Sequence, residues 1–426
     1  MSIQTRPARA HLLPALTIVA VVAAAIAVRF LFIDEVNSDY RVFLSPWYDA
    51  LAAGGGVRAI GQEIGNYNPP YLYLLAAATY LPIPKIVAIK LVSIVFDVVL
   101  AGFAGLIVRR RFGVWTSVLA FAVVLFAPTV LINSGYWGQC DSIYAAFCLG
   151  SLYFLLRGRD WWACVFFGLA LAFKLQAIFF LPALLIVLVV NRRRLLALVA
   201  IPATFVAMLL PAALAGRSWR SLLTVYPNQV TTGDGGGAGG RGGGASTAGL
   251  GSLTRNAPTM FQWVGGSSGI LVLGLVFGAL LVIGIGVLAW RARPLTEPQI
   301  VLTVTTIVLA VPFVLPQMHE RYFYLADVMT IVAAFHIRRF WPVAAAVTTS
   351  SLLAYAPFLW GSTPVPLPLV AFLELLAVLA TLVALAHVLT TPESRWIRRP
   401  AFVATGGPGP VSPSTARPAA HPPSRA

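Results

Sequence analysis

The chain has 426 residues, of which 59% are hydrophobic and only 10% are charged. Soluble domains carry about 25% charged residues, so this composition leaves too little polar surface for a water-exposed globule. The formal net charge of +16 would favour nucleic-acid binding in a soluble protein, but Arg and Lys gather in the cytoplasmic loops of membrane proteins for topological reasons. The sequence therefore predicts a multi-pass membrane protein that contacts membrane lipids and no nucleic acid.

Continuous apolar runs predict an all-α, polytopic helical bundle of about twelve transmembrane helices within residues 1–400. The runs lie at 12–33, 85–108, 112–132, 141–156, 160–173, 177–190, 195–214, 267–290, 300–316, 323–338, 341–359 and 366–390. Two of them, 160–173 and 177–190, are short for a bilayer that needs about 20 residues per span. We expect this pair to form one tight hairpin with its tip at 174–176.

Basic residues gather in the loops on the N-terminal side of the membrane. They are Arg6, Arg9, Arg109, Arg110, Arg111, Arg157, Arg159, Arg192, Arg193, Arg194, Arg291, Arg293, Arg338, Arg339, Arg395, Arg398, Arg399, Arg417 and Arg425. By the positive-inside rule that side is the cytoplasm, so both termini are predicted to be cytoplasmic. The chain contains no Asn-X-Ser/Thr sequon, which favours a bacterial plasma membrane over the endoplasmic reticulum.

The longest segments between the predicted spans lie on the outer face, at 34–84 and 215–266, so any chemistry is predicted there. Residues 71–81, within this large first outer loop, are apolar but too short for a span, and predict an interfacial or re-entrant helix. The stretch 233–251 holds 11 glycines and predicts a flexible insertion. The tail 401–426 is rich in Pro, Ala, Ser and Gly and predicts a disordered cytoplasmic segment.

Three carboxylates, Asp34, Glu35 and Asp39, closely follow the first predicted span. Aromatic neighbours at a span end partly desolvate a carboxylate, which raises its proton affinity and suits it to general-base chemistry on a sugar hydroxyl. The alternative is that interfacial acids only mark the water boundary. The residues alone leave both interpretations open.

The segment 133–142, Asn-Ser-Gly-Tyr-Trp-Gly-Gln-Cys-Asp-Ser, precedes the fourth predicted span. Glycines beside aromatic and amide groups are typical of a tight turn that presents hydrogen-bonding side chains. Trp137, Gln139 and Asp141 are therefore candidate sugar ligands. Asp141 is equally suited to cap the following helix, because its charge complements the helix dipole.

Residues 317–322, Gln-Met-His-Glu-Arg-Tyr, lie between the ninth and tenth predicted spans. His319 and Arg321 beside a helix N-terminus predict an anion site, and a phosphate is the obvious anion at a membrane surface. A salt bridge between Arg321 and Glu320 is the alternative interpretation, as is an arginine that snorkels to lipid headgroups.

Ionisable groups inside membrane spans are costly and usually face the bundle interior. Lys90 and Asp97 lie two helical turns apart on one helix face. Lys174, at the hairpin tip beside Gln176, could reach a phosphate or balance Asp97, and a structural ion pair is equally possible. His and Cys are too sparse for a zinc site, and no Ser or Cys lies beside a base in the sequence, so we predict no metal, cofactor or covalent nucleophile.

With these segments in place, the sequence resembles membrane glycosyltransferases of the GT-C type. It is most similar to bacterial proteins related to the second mannosyltransferase of GPI-anchor synthesis and, more distantly, to the eukaryotic glucosyltransferases that extend lipid-linked oligosaccharides. The segments that carry the resemblance stand in the family order. They are Asp39-Tyr40 with Phe43 and Pro46-Trp47, Tyr67-Asn68-Pro69-Pro70-Tyr71, Tyr136-Trp137-Gly138-Gln139-Cys140-Asp141, Phe173-Lys174-Leu175-Gln176, Asn256-Ala257-Pro258, and Met318-His319-Glu320-Arg321-Tyr322.

The resemblance implies an inverting enzyme that transfers a hexose, with mannose the first choice, from a polyprenyl-phosphate donor on the outer face. It implies that Asp39 is the catalytic base, and that the donor phosphate faces His319, Arg321 and Lys174. The Asp34-Glu35 pair resembles the acidic pair of protein O-mannosyltransferases, and so offers a second choice of base. The residues implied at the sugar and acceptor site are Asp34, Glu35, Tyr67, Trp137, Gln139, Asp141, Gln176, Glu320 and Tyr322.

Displacement of a polyprenyl phosphate needs a base near the acceptor hydroxyl and a cation near the departing phosphate, where negative charge grows. We therefore expect Asp39, after the first span, and Arg321, before the tenth, to meet across one cavity. The expected acceptor is a glycolipid, a glycan or a protein. A lipid-linked glycan transporter and a glycan ligase or polymerase are the alternative functions.

Overall fold

The computed structural model describes residues 7–232, 253–264, 268–391 and 394–398. The helices are α1 (Pro7–Phe30), α2 (Ser45–Ala53), α3 (Pro69–Ala78), α4 (Lys85–Arg109), α5 (Val114–Leu125), α6 (Pro128–Leu131), α7 (Asp141–Leu156), α8 (Asp160–Phe173), α9 (Leu181–Val190), α10 (Ala200–Leu214), α11 (Trp219–Thr232), α12 (Ser268–Arg291), α13 (Glu297–Val314), α14 (Tyr324–His336), α15 (Trp341–Trp360) and α16 (Leu367–Thr390). Two short strands, β1 (Thr254–Arg255) and β2 (Met318–His319), pair in parallel. The predicted glycine-rich insertion 233–251 and the predicted tail 401–426 lie outside the described residues.

Short turns of 3₁₀ or π geometry connect several of the helices. They lie at Tyr40–Leu44, Gly56–Gly61, Ile132–Trp137, Leu175–Phe180, Leu195–Val199, Met260–Gln262 and Glu320–Phe323. Such turns are common where a helix begins, ends or changes direction, and π turns are frequent at functional sites. Four of them border the candidate site described below.

Within the described residues, each predicted apolar run coincides with one or more helices over most of its length. Among the described residues, seven helices are long and apolar enough to cross a membrane, or eight if Val114–Leu125 and Pro128–Trp137, which are bent by 52°, form one span. The helices α7 and α8 and the segment Leu175–Val190 are apolar but shorter. The helical multi-pass fold is therefore confirmed, whereas a total of about twelve spans stays a prediction.

The bundle has a buried centre and a lipid-facing rim. In α13, 94% of the membrane-spanning stretch is buried, against 17% in both α1 and α12. The helices α8 and α10 approach closely, because Gly168 has no side chain: a Cβ there would lie 2.8 Å from the backbone oxygen of Ile201. Small residues at such contacts are typical of packing between membrane helices.

Between α1 and α4 the chain folds into a layer with its own hydrophobic core. This core includes Tyr40, Leu44, Trp47, Tyr48, Leu51, Tyr71, Leu72 and Leu75. The short helix predicted at 71–81 is α3, which begins with a proline in its first turn, where the missing N–H is not needed. It packs inside this layer against α2, α4 and the turn Gly56–Gly61, so it is a buried helix of the outer segment.

Exposed tryptophans mark both ends of the bundle. The helix α15 carries Trp341 at one end and Trp360 at the other, 36% and 46% exposed. Its 20 residues span about 30 Å, which is the thickness of the hydrocarbon core of a bilayer. Tryptophan favours the membrane–water interface. Trp360 also packs edge-on against Tyr136, with ring centroids 5.9 Å apart.

A buried ion pair joins α1 to α4. The guanidinium of Arg29 and the carboxylate of Asp97 are 1% and 0% exposed, and Arg29 Nη2 lies 2.8 Å from Asp97 Oδ2. The same carboxylate oxygen accepts a hydrogen bond from the Ser134 hydroxyl. Arg29 also donates to the backbone oxygen of Leu125 at 3.0 Å, at the end of α5. One cation therefore holds three separate chain segments together.

Lys90 secures the end of α1. Its ammonium donates to the backbone oxygens of Ile33 and Glu35, both at 2.8 Å. Both carbonyls lie beyond the last residue of α1, so the buried lysine fixes the chain where it leaves that helix. The prediction that Lys174 balances Asp97 is wrong, because Asp97 pairs with Arg29 and Lys174 pairs with Asp141.

Replacement of Arg29 is expected to destabilise the protein strongly. The Arg29→Met variant leaves the Asp97 carboxylate buried without its cation, which costs about 3–5 kcal/mol in comparable pairs. Thermal unfolding in detergent measures the loss, and the double variant Arg29→Met/Asp97→Leu should recover much of it.

The matched control is Lys85→Met, which breaks the exposed pair with Asp49 at 2.9 Å and should cost less than about 1 kcal/mol. Equal effects of Arg29→Met and Lys85→Met would contradict a supporting role for the buried pair.

Candidate active site

Three distant segments meet at Asp39. Trp137 Nε1 donates a hydrogen bond to Asp39 Oδ2 at 2.8 Å, and Gln139 Nε2 donates to the same oxygen. Arg321 Nη1 lies 3.8 Å from this oxygen. The acid after the first helix and the cation before α14 are therefore neighbours, as the sequence predicted.

The two other acids of the first outer segment occupy a different environment. The side chains of Asp34 and Glu35 are exposed, whereas the Asp39 side chain is only 13% exposed. A carboxylate that is shielded from water and held by fixed donors has the more restricted orientation, as a positioned base requires. The geometry favours Asp39 over Asp34 and Glu35.

Asn37 links the first outer segment to the loop before α7. Its side-chain Nδ2 donates to the backbone oxygen of Trp137 at 2.8 Å, and its Oδ1 accepts from the backbone N–H of Tyr40 at 3.0 Å. Residue-by-residue reading of the sequence missed this asparagine. The feature that could have identified it is a short polar side chain two residues before a candidate base, where such side chains often bind the backbone at the start of a helical turn.

The loop 132–140 is shaped by close contacts and by a left-handed residue. Gly138 has φ +79°, a conformation that L side chains rarely adopt. A Cβ on Gly135 would lie 2.7 Å from the Phe32 ring and 3.1 Å from Arg29 Cγ. The Trp137 ring is fully buried and stacks on Phe358, with centroids 5.1 Å apart. The loop therefore holds the Trp137 indole N–H in a fixed direction, towards Asp39.

Asp141 and Lys174 form a buried ion pair. Lys174 Nζ donates to Asp141 Oδ1, and Asn133 Nδ2 donates to Asp141 Oδ2 at 2.8 Å. The helix α7 begins at Asp141, and its N-cap residue is Cys140, so the interpretation of Asp141 as the N-cap is wrong. The Lys174 ammonium also lies 5.5 Å from the centre of the Tyr67 ring, within the range of a cation–π contact.

Cys140 lies beside this pair but is not a nucleophile. It is buried, and burial raises the pKa of its thiol to about 11. A thiol with that pKa stays protonated near neutral pH, and the thiolate is the reactive form.

The strand pair β1–β2 positions the basic segment before α14. Thr254 pairs with Met318 and Arg255 with His319, and Arg255 Nη1 lies 3.2 Å from His319 Nε2. Because a guanidinium has no acceptor atom, His319 Nε2 must accept this hydrogen bond, which places the ring proton on Nδ1. His319 Nδ1 lies 3.9 Å from Glu320 Oε2.

Arg255 is a site residue that the sequence did not reveal. It directly precedes the Asn256-Ala257-Pro258 motif, and this position is the one feature of the sequence that could have identified it as a site residue. Its guanidinium adds a cation beside His319, and Arg321 lies 3.7 Å from Glu320 Oε1. The predicted Arg321–Glu320 contact is thus present, and Arg321 lies between the carboxylates of Glu320 and Asp39. Tyr322 packs on the His319 ring at 5.2 Å.

A narrow cleft lies beside Arg321. Its lining residues come from four parts of the chain. They are Tyr67, Asn68, Phe173, Lys174, Leu175, Gln176, Tyr226, Gln229 and Arg321. Tyr226 and Gln229 belong to α11. The sequence analysis predicted a loop over residues 215–266, so it did not identify these two residues as part of the site. Their signal was the amphipathic pattern of Trp219–Thr232.

Acids, His and Cys do not gather into a metal-binding group within the described ranges, because no three of them lie close enough to hold one ion. The acids that lie near the site are instead engaged with Arg and Lys, as in the pairs Asp39–Arg321 and Asp141–Lys174. The described site therefore offers ionic and hydrogen-bonding groups for catalysis.

Comparison with known proteins gives one family and one fold. The family model described as "Glycosyltransferase family 87" matches residues 66–316. The crystal structure of ArnT from Cupriavidus metallidurans, bound to undecaprenyl phosphate, is similar with a TM-score of 0.51 and 14% sequence identity, over 87% of this chain and 77% of that one. No curated protein sequence matches the chain. At this identity the structural similarity shows a shared fold.

Substitution of Gly138 is expected to disturb the loop that carries Trp137 and Gln139. The Gly138→Ala variant forces a side chain into a left-handed conformation, which costs about 1–2 kcal/mol. Thermal unfolding should therefore occur at a lower temperature than in the wild type.

The control is Gly102→Ala, because a Cβ on Gly102 in α4 meets open space and alanine is the better helix former. It should leave stability unchanged or slightly raise it. A Gly138→Ala variant as stable as Gly102→Ala would show that the turn tolerates a side chain.

Proposed function

Because the chain belongs to glycosyltransferase family 87, we propose that it is an inverting hexosyltransferase that uses a polyprenyl-phosphate sugar. The chain is a membrane glycosyltransferase of the GT-C type. The transferred sugar is proposed to be mannose, and the acceptor a glycolipid, a glycan or a protein. The observation that carries the proposal is the 3.8 Å separation between Asp39 Oδ2 and Arg321 Nη1.

The proposed reaction is a single displacement at the anomeric carbon. The acceptor oxygen attacks from the face opposite the phosphate and gives its proton to Asp39. The bond from the anomeric carbon to the phosphate oxygen breaks, and the electron pair leaves with the polyprenyl phosphate. Arg321 is placed to stabilise the negative charge that grows on this oxygen. No metal ion or covalent enzyme intermediate is needed for the atoms and charges to balance.

Glu320 supports this role of Arg321. It is 2% exposed, and its Oε1 lies 3.7 Å from Arg321 Nη1. A buried carboxylate beside a guanidinium restricts the orientation of the guanidinium plane. A guanidinium binds phosphate best when its N–H groups are held towards the phosphate oxygens. Glu320 is thus proposed as a positioning residue for the cation at the donor phosphate.

The cations are proposed to have different tasks. Lys174, predicted to bind the phosphate, is already paired with Asp141, so we assign it to the wall of the sugar site. His319 accepts a hydrogen bond from Arg255 through Nε2, which leaves its Nδ1 as the hydrogen-bond donor. Arg255 then joins Arg321 as a second cation for the phosphate.

The proposed orientation follows the positive-inside rule. Both termini and the tail 401–426 would lie in the cytoplasm, and the site would face the outer side of a bacterial plasma membrane. Residues 1–400 would form one catalytic unit. Family membership disfavours the alternative of a glycan transporter, because a glycosyltransferase forms a glycosidic bond. A glycan ligase or polymerase stays the alternative function.

The Asp39→Asn variant is expected to lose activity about 10²–10⁴-fold in kcat, which is the usual contribution of a general base. Mannose transfer from a polyprenyl-phosphate donor, measured with purified protein in nanodiscs, tests this. Asn retains the size of the side chain, so the fold should be unaffected, as thermal unfolding can verify.

The matched controls are Asp34→Asn and Glu35→Gln, two exposed acids of the same segment. Both should keep near-normal turnover. If either control lost activity while Asp39→Asn kept it, the base would have to be reassigned to that residue.

Arg255→Gln is expected to lower kcat/KM for the donor by about tenfold or more, the range for losing a hydrogen bond to a charged group. Arg321→Gln should cost more, about 10²–10³-fold in kcat, because its cation acts where charge develops. The steady-state parameters of both variants test the ranking. A larger loss in Arg255→Gln than in Arg321→Gln would reverse the two roles.

A further inference from the structure

We propose that the end of the bundle opposite the candidate active site binds the headgroup of an anionic phospholipid through an arginine cluster, Arg111, Arg338 and Arg398. The cluster lies where the ends of α4 and α14 meet the segment 394–398. The helix α14 begins beside the candidate active site, and its 13 residues span about 20 Å. The cluster at its far end therefore takes no part in the proposed transfer reaction.

The segment that follows α16 lies across this end of the bundle and is fixed there by its backbone. The Trp396 ring packs on the His387 ring of α16, with centroids 4.4 Å apart. The backbone N–H of Arg338 donates to the backbone oxygen of Trp396 at 2.6 Å, and the N–H of Arg398 donates to the backbone oxygen of His336 at 2.8 Å. These hydrogen bonds hold Arg398 beside the end of α14.

Two arginines meet here without a carboxylate between them. Arg111 Nη2 donates to the backbone oxygen of Arg398 at 3.1 Å, and neither side-chain Nε has an acceptor among the described residues. The acid at this end, Glu297, is paired with Arg110. Burial lowers the pKa of Arg111, and the charge of Glu297 opposes this shift. Neighbouring like charges are unfavourable without a counter-ion, so the arrangement favours an anion from outside the protein.

The register of this contact directs arginine side chains outwards. Ile337 and Ile397 form an antiparallel bridge, and Ile337 is buried, whereas Arg338 and Trp396 are exposed. Neighbouring residues of an extended chain point to opposite sides. Arg398 follows Ile397 as Arg338 follows Ile337, so both arginines lie on the outward side of the bridge. An external anion can therefore reach them.

Exposed tryptophans at the same end identify the anion as a lipid headgroup. Trp115 lies at the start of α5, Trp341 at the start of α15 and Trp396 in the segment itself, and all three are exposed. Tryptophan favours the membrane–water interface, where the accessible anions are phospholipid phosphates. Guanidinium groups bind phosphate with two N–H groups at once, and basic clusters beside membrane spans bind anionic headgroups. A zwitterionic lipid carries its own cation and so gains less from the cluster.

Lipid binding to the delipidated full-length protein in detergent, followed by native mass spectrometry, tests the site. The probes are phosphatidylglycerol, which is anionic, and phosphatidylcholine, which is zwitterionic. The wild type should bind the first phosphatidylglycerol about tenfold more tightly than the first phosphatidylcholine. Arg338→Gln and Arg398→Gln should each lower the affinity for phosphatidylglycerol about fivefold, the usual contribution of one basic residue at an anionic membrane surface. The affinity for phosphatidylcholine should stay unchanged.

The matched control is Arg157→Gln, because Arg157 is an exposed arginine after α7, at the same end of the bundle but outside the cluster. It should keep the wild-type preference. Equal losses in Arg157→Gln and Arg398→Gln would show attraction by general surface charge and overturn the site, as would equal affinity of the wild type for both lipids. Displacement of the lipid by inorganic phosphate would reassign the site to a free anion. If Arg398→Gln fails to fold, the exposed Arg338 decides the outcome.

Discussion

The whole arrangement depends on the buried ion pair between Arg29 and Asp97. Charges removed from water are stable only when they are paired and hydrogen-bonded, and here the pairing draws together the end of α1, the middle of α4 and Ser134 of the loop before α7. Lys90, two turns from Asp97 on α4, binds the carbonyls that follow α1. The same buried contacts therefore position the Asp39 carboxylate and the Trp137 indole, although these residues are far apart in sequence.

In the candidate site, basic and acidic side chains follow one another. Arg255, His319, Glu320, Arg321 and Asp39 follow one another in space, each within 4 Å of the next. A cation between two acids is held in place without being fully neutralised by either. In the proposed reaction this guanidinium would be the partner of the donor phosphate, and fixed partners cost no reorganisation during the reaction. The helical bundle supports the site, and the charged and hydrogen-bonding side chains of the site lie in the connections between helices, at Asp39, at Trp137 and Gln139, and at Arg321.

Much of the fold and part of the site could be predicted from the sequence. Apolar runs identified the helices, because membrane spans carry the strongest compositional signal of any element. Asp39 and Arg321 were predicted to meet, and they do. The partner of Lys174 could not be predicted, since the sequence suggested Asp97 and only the tertiary packing selects Asp141. Arg255 and α11 were missed because both lie beside a glycine-rich stretch whose composition hides local patterns.

The aromatic residues at the ends of α15 set the depth at which catalysis would occur. The exposure and chemistry of Trp360 favour a membrane interface, and its ring packs on Tyr136, the neighbour of Trp137. With Trp360 at a membrane interface, the proposed acid–cation pair would lie near the level of the lipid phosphates, towards the end of α15 opposite Trp341. A prenyl chain can stay dissolved in hydrocarbon while its headgroup reaches the site, and a water-borne acceptor can arrive from the aqueous phase. Neither reactant has to leave the solvent in which it is stable.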